Sequence, residues 1–190
     1  MSLKMKLVLS VAAAVAFAGH AGAQNYAWWL TKSYAPAEAT IAGLPVASLR
    51  PSWKSAQTFT PATFTRKEHA DMYSAPDFRP VWEVRRDING DGRQDRAIVG
   101  VAKTKANKLE RFLVILTQDG KGGWKKDYVN YTQTSPSDGD RGFSYLVDRG
   151  RYGISWNDCF ECDGTFGTIK WDRKKKKYFL EQPDYGDEDY

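Results

Sequence analysis

Residues 96–117 read RAIVGVAKTKANKLERFLVILT, two runs rich in Val, Ile, Leu and Phe separated by a polar stretch. Short runs of β-branched and aromatic residues bounded by turn-forming residues predict β-strands. We interpret these runs as strands near 96–103 and 110–117. The same texture continues on both sides and predicts six further strands, near 80–86, 124–130, 143–148, 151–156, 165–171 and 177–181.

Glycine-containing segments separate the predicted strands. Residues 119–123 read DGKGG and residues 149–150 read RG, and such residues provide the backbone freedom that hairpin turns need. The sequence therefore predicts a mainly β fold of antiparallel sheets built from hairpins, with an α+β arrangement still open. About eight strands fit two packed four-stranded sheets, whereas a closed propeller needs at least about four blades of four strands.

Residues 24–79 differ from the predicted β domain, which spans residues 80–182. They are rich in Pro, Ala, Ser and Thr and lack strong periodicity. We expect short helices near 45–56 and 65–73, the first with an apolar stripe of Val46, Leu49 and Trp53 at helical spacing. Because the apolar content is too low for a separate core, we interpret this segment as an N-terminal extension packed on the sheet.

The first 23 residues have the parts of a secretory signal peptide. Two lysines precede a small and apolar run over residues 7–19, and Ala21-Gly22-Ala23 follows it, as signal peptidase requires. The run is shorter than the ~20 residues of a membrane-spanning helix. We expect cleavage before Gln24, no lipid anchor, no membrane span and a periplasmic or secreted protein.

The charge of the chain is modest. Removing residues 1–23 takes away two lysines and no acid, so the net charge of +5 falls to +3, which gives no argument for nucleic acid as a partner. The basic run RKKKK at 173–177 lies between two predicted strands, so we interpret it as a solvated hairpin tip, with an anionic partner as the alternative. Residues 183–190 form an acidic tail.

Cys159 and Cys162 are the two cysteines of the chain. In an oxidising compartment two such thiols usually form a disulfide, and we predict one here. A redox pair would be expected at the start of a helix, and a zinc site needs four ligands, whereas only His69 accompanies the thiols after cleavage. Redox, unpaired and metal-bound cysteines remain alternatives.

Residues 87–95 read DINGDGRQD, with oxygen-bearing side chains at the first, third, fifth and ninth places and glycine at the sixth. Calcium takes six to eight oxygen ligands, and a tight turn of alternating side chains presents them together. The candidate ligands are the side chains of Asp87, Asn89, Asp91 and Asp95 and the backbone carbonyl of Arg93. An EF-hand would have glutamate at the twelfth place and a helix after the loop, but here Ile98 occupies that place within a predicted strand.

This loop resembles the calcium loops of FG-GAP and VCBS repeats, in which Asp-x-Asp/Asn-x-Asp-Gly-x-x-Asp precedes an apolar strand. The resemblance covers about residues 80–103 and implies Ca²⁺ as the cofactor. Since the chain holds one copy, it does not imply their repeated propeller. The alternative is an Asx-rich turn without metal, its acids neutralised by neighbouring arginines, namely Arg85, Arg86, Arg93 and Arg96.

Wider motifs carry two weaker resemblances. The segments 89–92, 119–124 and 159–163 are similar to those of uncharacterised exported bacterial proteins, a likeness that implies no activity. Calcium-loop β folds also occur among periplasmic immunity proteins that block peptidoglycan-cleaving toxins. That likeness implies a binding role and rests on loop and fold alone.

No catalytic motif stands out. We interpret His69 as a surface residue, since no second catalytic partner accompanies it. The aromatic residues suggest recognition, although most would pack between sheets; they include Trp28, Trp29, Tyr34, Tyr128, Tyr131, Tyr145, Tyr152, Trp156 and Phe160. We therefore expect a non-enzymatic periplasmic or secreted binding protein with a structural calcium loop. Its partner would be another envelope or secreted protein, and inhibition of a cell-wall hydrolase is one such role. A carboxylate-based cell-wall or polysaccharide hydrolase and a glycan-binding module are the alternatives.

Overall fold

The computed structural model describes residues 27–74, 79–135, 137, 140–159 and 165–183. These residues contain three short α-helices and eleven strands. The helices are α1 (Trp28–Thr31), α2 (Val46–Leu49) and α3 (Arg66–Met72). The strands are β1 (Thr40–Ile41), β2 (Leu44–Pro45), β3 (Trp53–Thr58), β4 (Glu83–Arg86), β5 (Asp95–Thr104), β6 (Leu109–Gln118), β7 (Trp124–Gln133), β8 (Tyr145–Asp148), β9 (Ile154–Asn157), β10 (Thr165–Asp172) and β11 (Lys177–Glu181). The mainly β, antiparallel fold that the sequence predicts is confirmed.

The larger sheet is built around the β5–β6 hairpin. Its strand order is β3-β5-β6-β7. β4 and β3 pair with the same edge of β5, β4 with its first part and β3 with its later part. All pairs are antiparallel. β5 and β6 are therefore central strands, with neighbours on both sides.

The second sheet has the order β11-β10-β9-β8. It faces the first across a common core, and the two are linked at one side by a bridge between Val81 and Leu146, whose backbone groups exchange two hydrogen bonds of 2.9 and 2.7 Å. At the other side β11 lies against β7. The result is a sandwich of two antiparallel sheets.

Side chains of β5 and β6 alternate between two hydrophobic cores. Odd-numbered residues such as Val99 and Leu113 enter the core between the sheets, and even-numbered residues such as Ile98 and Phe112 enter a second core on the opposite face. Strands buried on both faces carry near-continuous apolar sequences. This explains why residues 96–117 give the clearest strand signal in the chain.

The N-terminal extension covers the second core. Ile41, Val46, Leu49 and Trp53 are all buried there against β5 and β6. The buried carboxylate of Glu110 accepts a hydrogen bond from Trp53 Nε1 at 2.7 Å. The extension thus completes the β domain by covering an apolar face that would otherwise be exposed.

The predicted helix near 45–56 is wrong in its second half. α2 ends at Leu49, Pro51 follows, and residues from Trp53 onward form β3, which pairs with β5. Proline disfavours a continuing helix, and the open edge of β5 offers backbone hydrogen bonds that outweigh a weak helical preference. The helix predicted near 65–73 is confirmed as α3, whose Thr65 and Glu68 form a capping box.

All eight strands predicted after residue 80 are present, five of them with shifted starts. The largest shifts, of three residues each, are at β4, predicted from 80 and observed from Glu83, and at β9, predicted from 151 and observed from Ile154. At β9 the start is later because Gly150–Tyr152 form a 3₁₀ turn. Gly153 follows this turn with φ of 111°, a conformation that favours glycine. The two sheets of the sandwich hold four and five strands, not four each, since β3 joins the larger one, and β1 and β2 pair as a separate two-stranded sheet.

Some predictions fall outside the described residues. These are the signal peptide, Phe160, Cys162 and nearly all of the acidic tail. In the part of the chain that the structure describes, no helix has both the length and the apolar character needed to cross a membrane.

Candidate metal centre

The predicted calcium loop closes the β4–β5 hairpin. Arg86 and Asp95 are the last paired residues before the loop, so the first and ninth loop positions lie at its base. Gly90 and Gly92 have φ of 77° and 83°, in the left-handed region that glycine enters without steric cost. The sequence pattern thus produces the tight turn that was predicted.

The first two candidate ligands fold inward over the loop. Asp87 Oδ1 accepts from the amide of Gly90 at 2.6 Å, and Asp87 Oδ2 accepts from the amide of Gly92 at 2.8 Å. Asn89 Oδ1 accepts from the amide of Asp91 at 2.8 Å. These side-chain oxygens are therefore held at the centre of the turn by backbone donors.

Asp91 forms an ion pair with Arg93. The Asp91 Oδ2 atom lies 2.7 Å from Arg93 Nη2, and hydrogen bonds from the side chain and backbone of Arg93 lower the pKa of Asp91. Both side chains are accessible to solvent, so the pair contributes little to stability. A metal ion would compete with this guanidinium for the Asp91 carboxylate.

Asp95 differs from the other candidate ligands because it is completely buried. Its Oδ2 atom accepts three hydrogen bonds, from the amides of Ile88 at 2.8 Å and Asn89 at 3.2 Å and from the hydroxyl of Tyr178 at 2.9 Å. Its Oδ1 atom has no hydrogen-bond partner among the described residues. A buried carboxylate oxygen without a partner is unusual and costly.

Tyr178 connects this site to the second sheet. It lies on β11, and its buried hydroxyl reaches across the core to Asp95 on β5. Burial raises the pKa of Tyr178, and the negative charge of Asp95 raises it further. The hydroxyl therefore stays protonated as a donor over the ordinary pH range, and sequence reasoning did not identify its role.

Most arginines near the loop do not neutralise its acids. Arg85 and Arg96 pair with Glu83, and Arg86 pairs with Asp148 at 3.3 Å. Among the described residues only Arg93, of the four arginines considered, pairs with a loop carboxylate. Arginine neutralisation thus accounts for Asp91 but not for Asp87 or Asp95.

The structure brings the predicted ligands into one turn without forming a compact acidic cluster. Within the described ranges, no group of three or more His, Cys, Asp or Glu side chains is placed to hold a metal ion. Asp95 Oδ1 is the loop oxygen that most clearly needs a positive partner. The residue types present, carboxylates and an amide, are those that calcium prefers.

Two clefts flank this loop and share several of its residues. One, of about 640 Å³, lies between the loop and the Gly150–Tyr152 turn, and the other, of about 690 Å³, lies between the loop and β7. Asn89, Gly90, Trp171 and Arg173 line both clefts. We call the two together the loop groove.

The aromatic residues divide between core and surface. Trp28, Trp29, Tyr145 and Trp156 are buried in the core between the sheets, as most were expected to be. Tyr131 and Tyr152 are exposed by 40% and 63%. The exposed ring of Tyr152 belongs to the loop groove.

His69 and Cys159 have local structural contacts. His69 Nε2 lies 2.8 Å from the carbonyl oxygen of Pro61, and its ring is near Phe64 and Trp82. The backbone carbonyl of Cys159 accepts from the Tyr145 hydroxyl at 2.8 Å. The disulfide stays a prediction, since Cys162 lies outside the described residues.

Comparison with known protein families, curated proteins and solved structures gives no match to this chain.

Proposed function

We propose that this protein is a non-enzymatic binding protein of the periplasm or extracellular space, in which residues 87–95 hold a structural calcium ion. The observation that carries the proposal is the buried Oδ1 atom of Asp95, which has no hydrogen-bond partner among the described residues. A divalent cation would supply the missing positive partner.

The remaining ligands would come from the turn itself. Asp87, Asn89 and Asp91 lie within the same few residues, and their oxygens are now bonded mainly to backbone amides of the loop. Small side-chain rotations would exchange those hydrogen bonds for bonds to calcium, with the Arg93 carbonyl and water completing the shell. Extracellular modules of this kind bind calcium at ~10⁻⁴ to 10⁻³ M, a range in which ambient calcium suffices.

A bound ion would stabilise both sheets. Asp95 lies on β5 of the larger sheet and accepts from Tyr178 on β11 of the smaller one. An ion on Asp95 Oδ1 would therefore fix the β4–β5 turn and strengthen a contact that joins the sheets. The role of the calcium ion is structural. It would hold the loop, and with it the loop groove, in one conformation.

The test is thermal unfolding of the purified protein in calcium and in chelator. At roughly 10 mM calcium, a site of this affinity contributes about 1.4–2.7 kcal/mol by mass action, which corresponds to a rise in Tm of roughly 3–10 °C for a domain of this size. Asp95→Asn should remove the rise because it deletes the charged ligand.

Asp119→Asn provides the matched control. Asp119 Oδ1 also accepts two loop amides, from Lys121 and Gly123 at 2.8 Å each, in a turn that is solvent-exposed. This variant should keep the calcium-dependent rise in Tm. Equal melting of the parent protein with calcium and with chelator would reject the calcium site.

A further inference from the structure

We infer that the loop groove binds an acidic polysaccharide, a polymer of sugar rings that carry carboxylate groups. This inference rests on the proposed binding role and names the class of ligand. The lining of the groove is predominantly basic. Its described lining residues include seven basic side chains, Arg86, Arg93, Lys125, Arg151, Lys170, Arg173 and Lys176, and three acidic ones, Asp87, Asp91 and Asp127.

Four of these cations are available to a ligand. Arg86, Arg93 and Lys170 pair with Asp148, Asp91 and Glu181 respectively. The other four form no ion pair with a carboxylate of the described residues; they are Lys125, Arg151, Arg173 and Lys176. Arg173 lines both clefts of the loop groove. Free cations are therefore present in each cleft, where an extended anion could contact them.

Two aromatic rings lie among these cations. Tyr152 is 63% exposed, with the Arg151 guanidinium 4.9 Å from its ring centre and donating to its hydroxyl at 2.7 Å. Trp171 lines both clefts and is supported from beneath by Tyr178, with ring centres 4.8 Å apart. Tyr152 is thus an exposed ring and Trp171 a half-buried one that packs on the core, and rings beside cations suit the apolar faces of sugar rings whose substituents are charged.

The groove also holds acceptors that a polyphosphate would avoid. Asp127 lines its second cleft, where its Oδ2 atom accepts from the Thr117 hydroxyl at 3.0 Å, and Asp91, which is paired with Arg93, lies in the same cleft. Carboxylates accept hydrogen bonds from sugar hydroxyls, and they repel the closely spaced charges of a polyphosphate more strongly than carboxylates that are one sugar ring apart. A mixture of free cations, aromatic rings and acceptors therefore favours a polymer that offers both hydroxyls and carboxylates over nucleic acid or a purely acidic peptide.

The test measures binding of short oligomers by isothermal titration calorimetry. The probes are a hexamer of galacturonic acid, an uncharged hexamer of glucose and hexaglutamate, each with calcium and with chelator. We expect the galacturonate hexamer to bind and the other two to bind at least tenfold more weakly. Equal binding of hexaglutamate would overturn the inference in favour of simple charge attraction, and stronger binding of the glucose hexamer would overturn it as well.

Variants locate the site. Arg151→Ala with Arg173→Ala should weaken galacturonate binding at least tenfold, because two charge-assisted contacts are lost. The matched control removes two exposed cations on α3, Arg66→Ala with Lys67→Ala, and should leave affinity unchanged. Equal loss in both double variants would contradict a site in the groove.

Tyr152 separates ring stacking from charge. Tyr152→Phe keeps the ring and should retain binding within about twofold, whereas Tyr152→Ala should lose at least fivefold, as expected for a stacking contact. Unchanged binding in Tyr152→Ala would contradict the assigned ligand class. The four free cations do not depend on the calcium ion, so the two proposals can fail separately. If calcium does not raise the Tm but the galacturonate hexamer still binds, only the metal site is rejected. If calcium raises the Tm but the hexamer does not bind, only the proposed ligand class is rejected.

Discussion

At the scale of single residues, Asp95 is the position on which the account depends. Its place in the loop is visible in the sequence, since it occupies the ninth position of the calcium pattern. Its complete burial and its bond to Tyr178 were not predictable, because Tyr178 is separated from it by 83 positions in the chain. Local spacing identifies which residues share a turn, whereas the partner across the core depends on how the sheets pack.

Tyr178→Phe tests the contact between Asp95 and β11. The substitution keeps the ring and removes one donor from a buried carboxylate, and loss of such a hydrogen bond costs about 1–3 kcal/mol. Urea unfolding at neutral pH should show that decrease in the free energy of unfolding.

The control for this measurement is Tyr131→Phe. The Tyr131 side chain is exposed by 40%, and its hydroxyl has no hydrogen bond to a described residue. Its removal should change the free energy of unfolding by less than about 0.5 kcal/mol. Equal effects of the two substitutions would show that the hydrogen bond from the Tyr178 hydroxyl to Asp95 adds no specific stability.

At the scale of elements, the sequence predicts where the strands lie better than it predicts which strands pair. The eight strands after residue 80 follow from apolar runs and turn residues, and all are present. β3 was not predicted, because Trp53–Thr58 carries mixed polar and apolar residues and becomes a strand only by pairing with β5. Pairing at the edge of a sheet depends on tertiary structure, and the local sequence does not predict it.

Gly100 is the residue of β5 that permits this pairing. A Cβ atom placed there would collide with the carbonyl oxygen of Gln57 on β3 and would lie 2.8 Å from the ring of Phe112. Gly100→Ala should therefore lower the free energy of unfolding by about 1–3 kcal/mol, as overpacking usually does. Chemical denaturation measures this change.

Gly120→Ala is the comparison for Gly100→Ala. Gly120 lies in the β6–β7 turn, and a Cβ atom built there meets no other atom within 4 Å. We expect no loss of stability beyond about 0.5 kcal/mol. If both glycine substitutions were equally tolerated, close approach of β3 to β5 would be wrong.

At the scale of the whole molecule, one hairpin organises the protein. The two faces of β5 and β6 support separate cores, and residues of the N-terminal extension enter both. One core is shared with the second sheet and also holds Trp28 and Phe64, and the other is covered by Ile41, Val46 and Leu49. The sequence predicts the β class and the separate character of the extension, but it does not predict which face the extension covers or that the loop lies between two clefts. Those features depend on the order of strands in each sheet, which apolar periodicity does not encode.

The groove and the proposed calcium loop belong to one end of this sandwich. The loop joins β4 to β5, the Gly150–Tyr152 turn joins β8 to β9, and Trp171 lies near the end of β10. Binding residues on loops that a rigid scaffold positions are a common arrangement in proteins. A calcium ion at the loop would act on this whole surface through Asp95.

The most direct measurement is a crystal structure of the protein grown in excess calcium, with anomalous diffraction used to identify the ion. We predict a calcium ion at the loop bonded to Asp95 Oδ1, with further ligands from Asp87, Asn89 and Asp91 at ~2.3–2.6 Å. A turn that holds no ion under these conditions, with Arg93 still paired to Asp91 and Asp95 Oδ1 still without a cation, would contradict it.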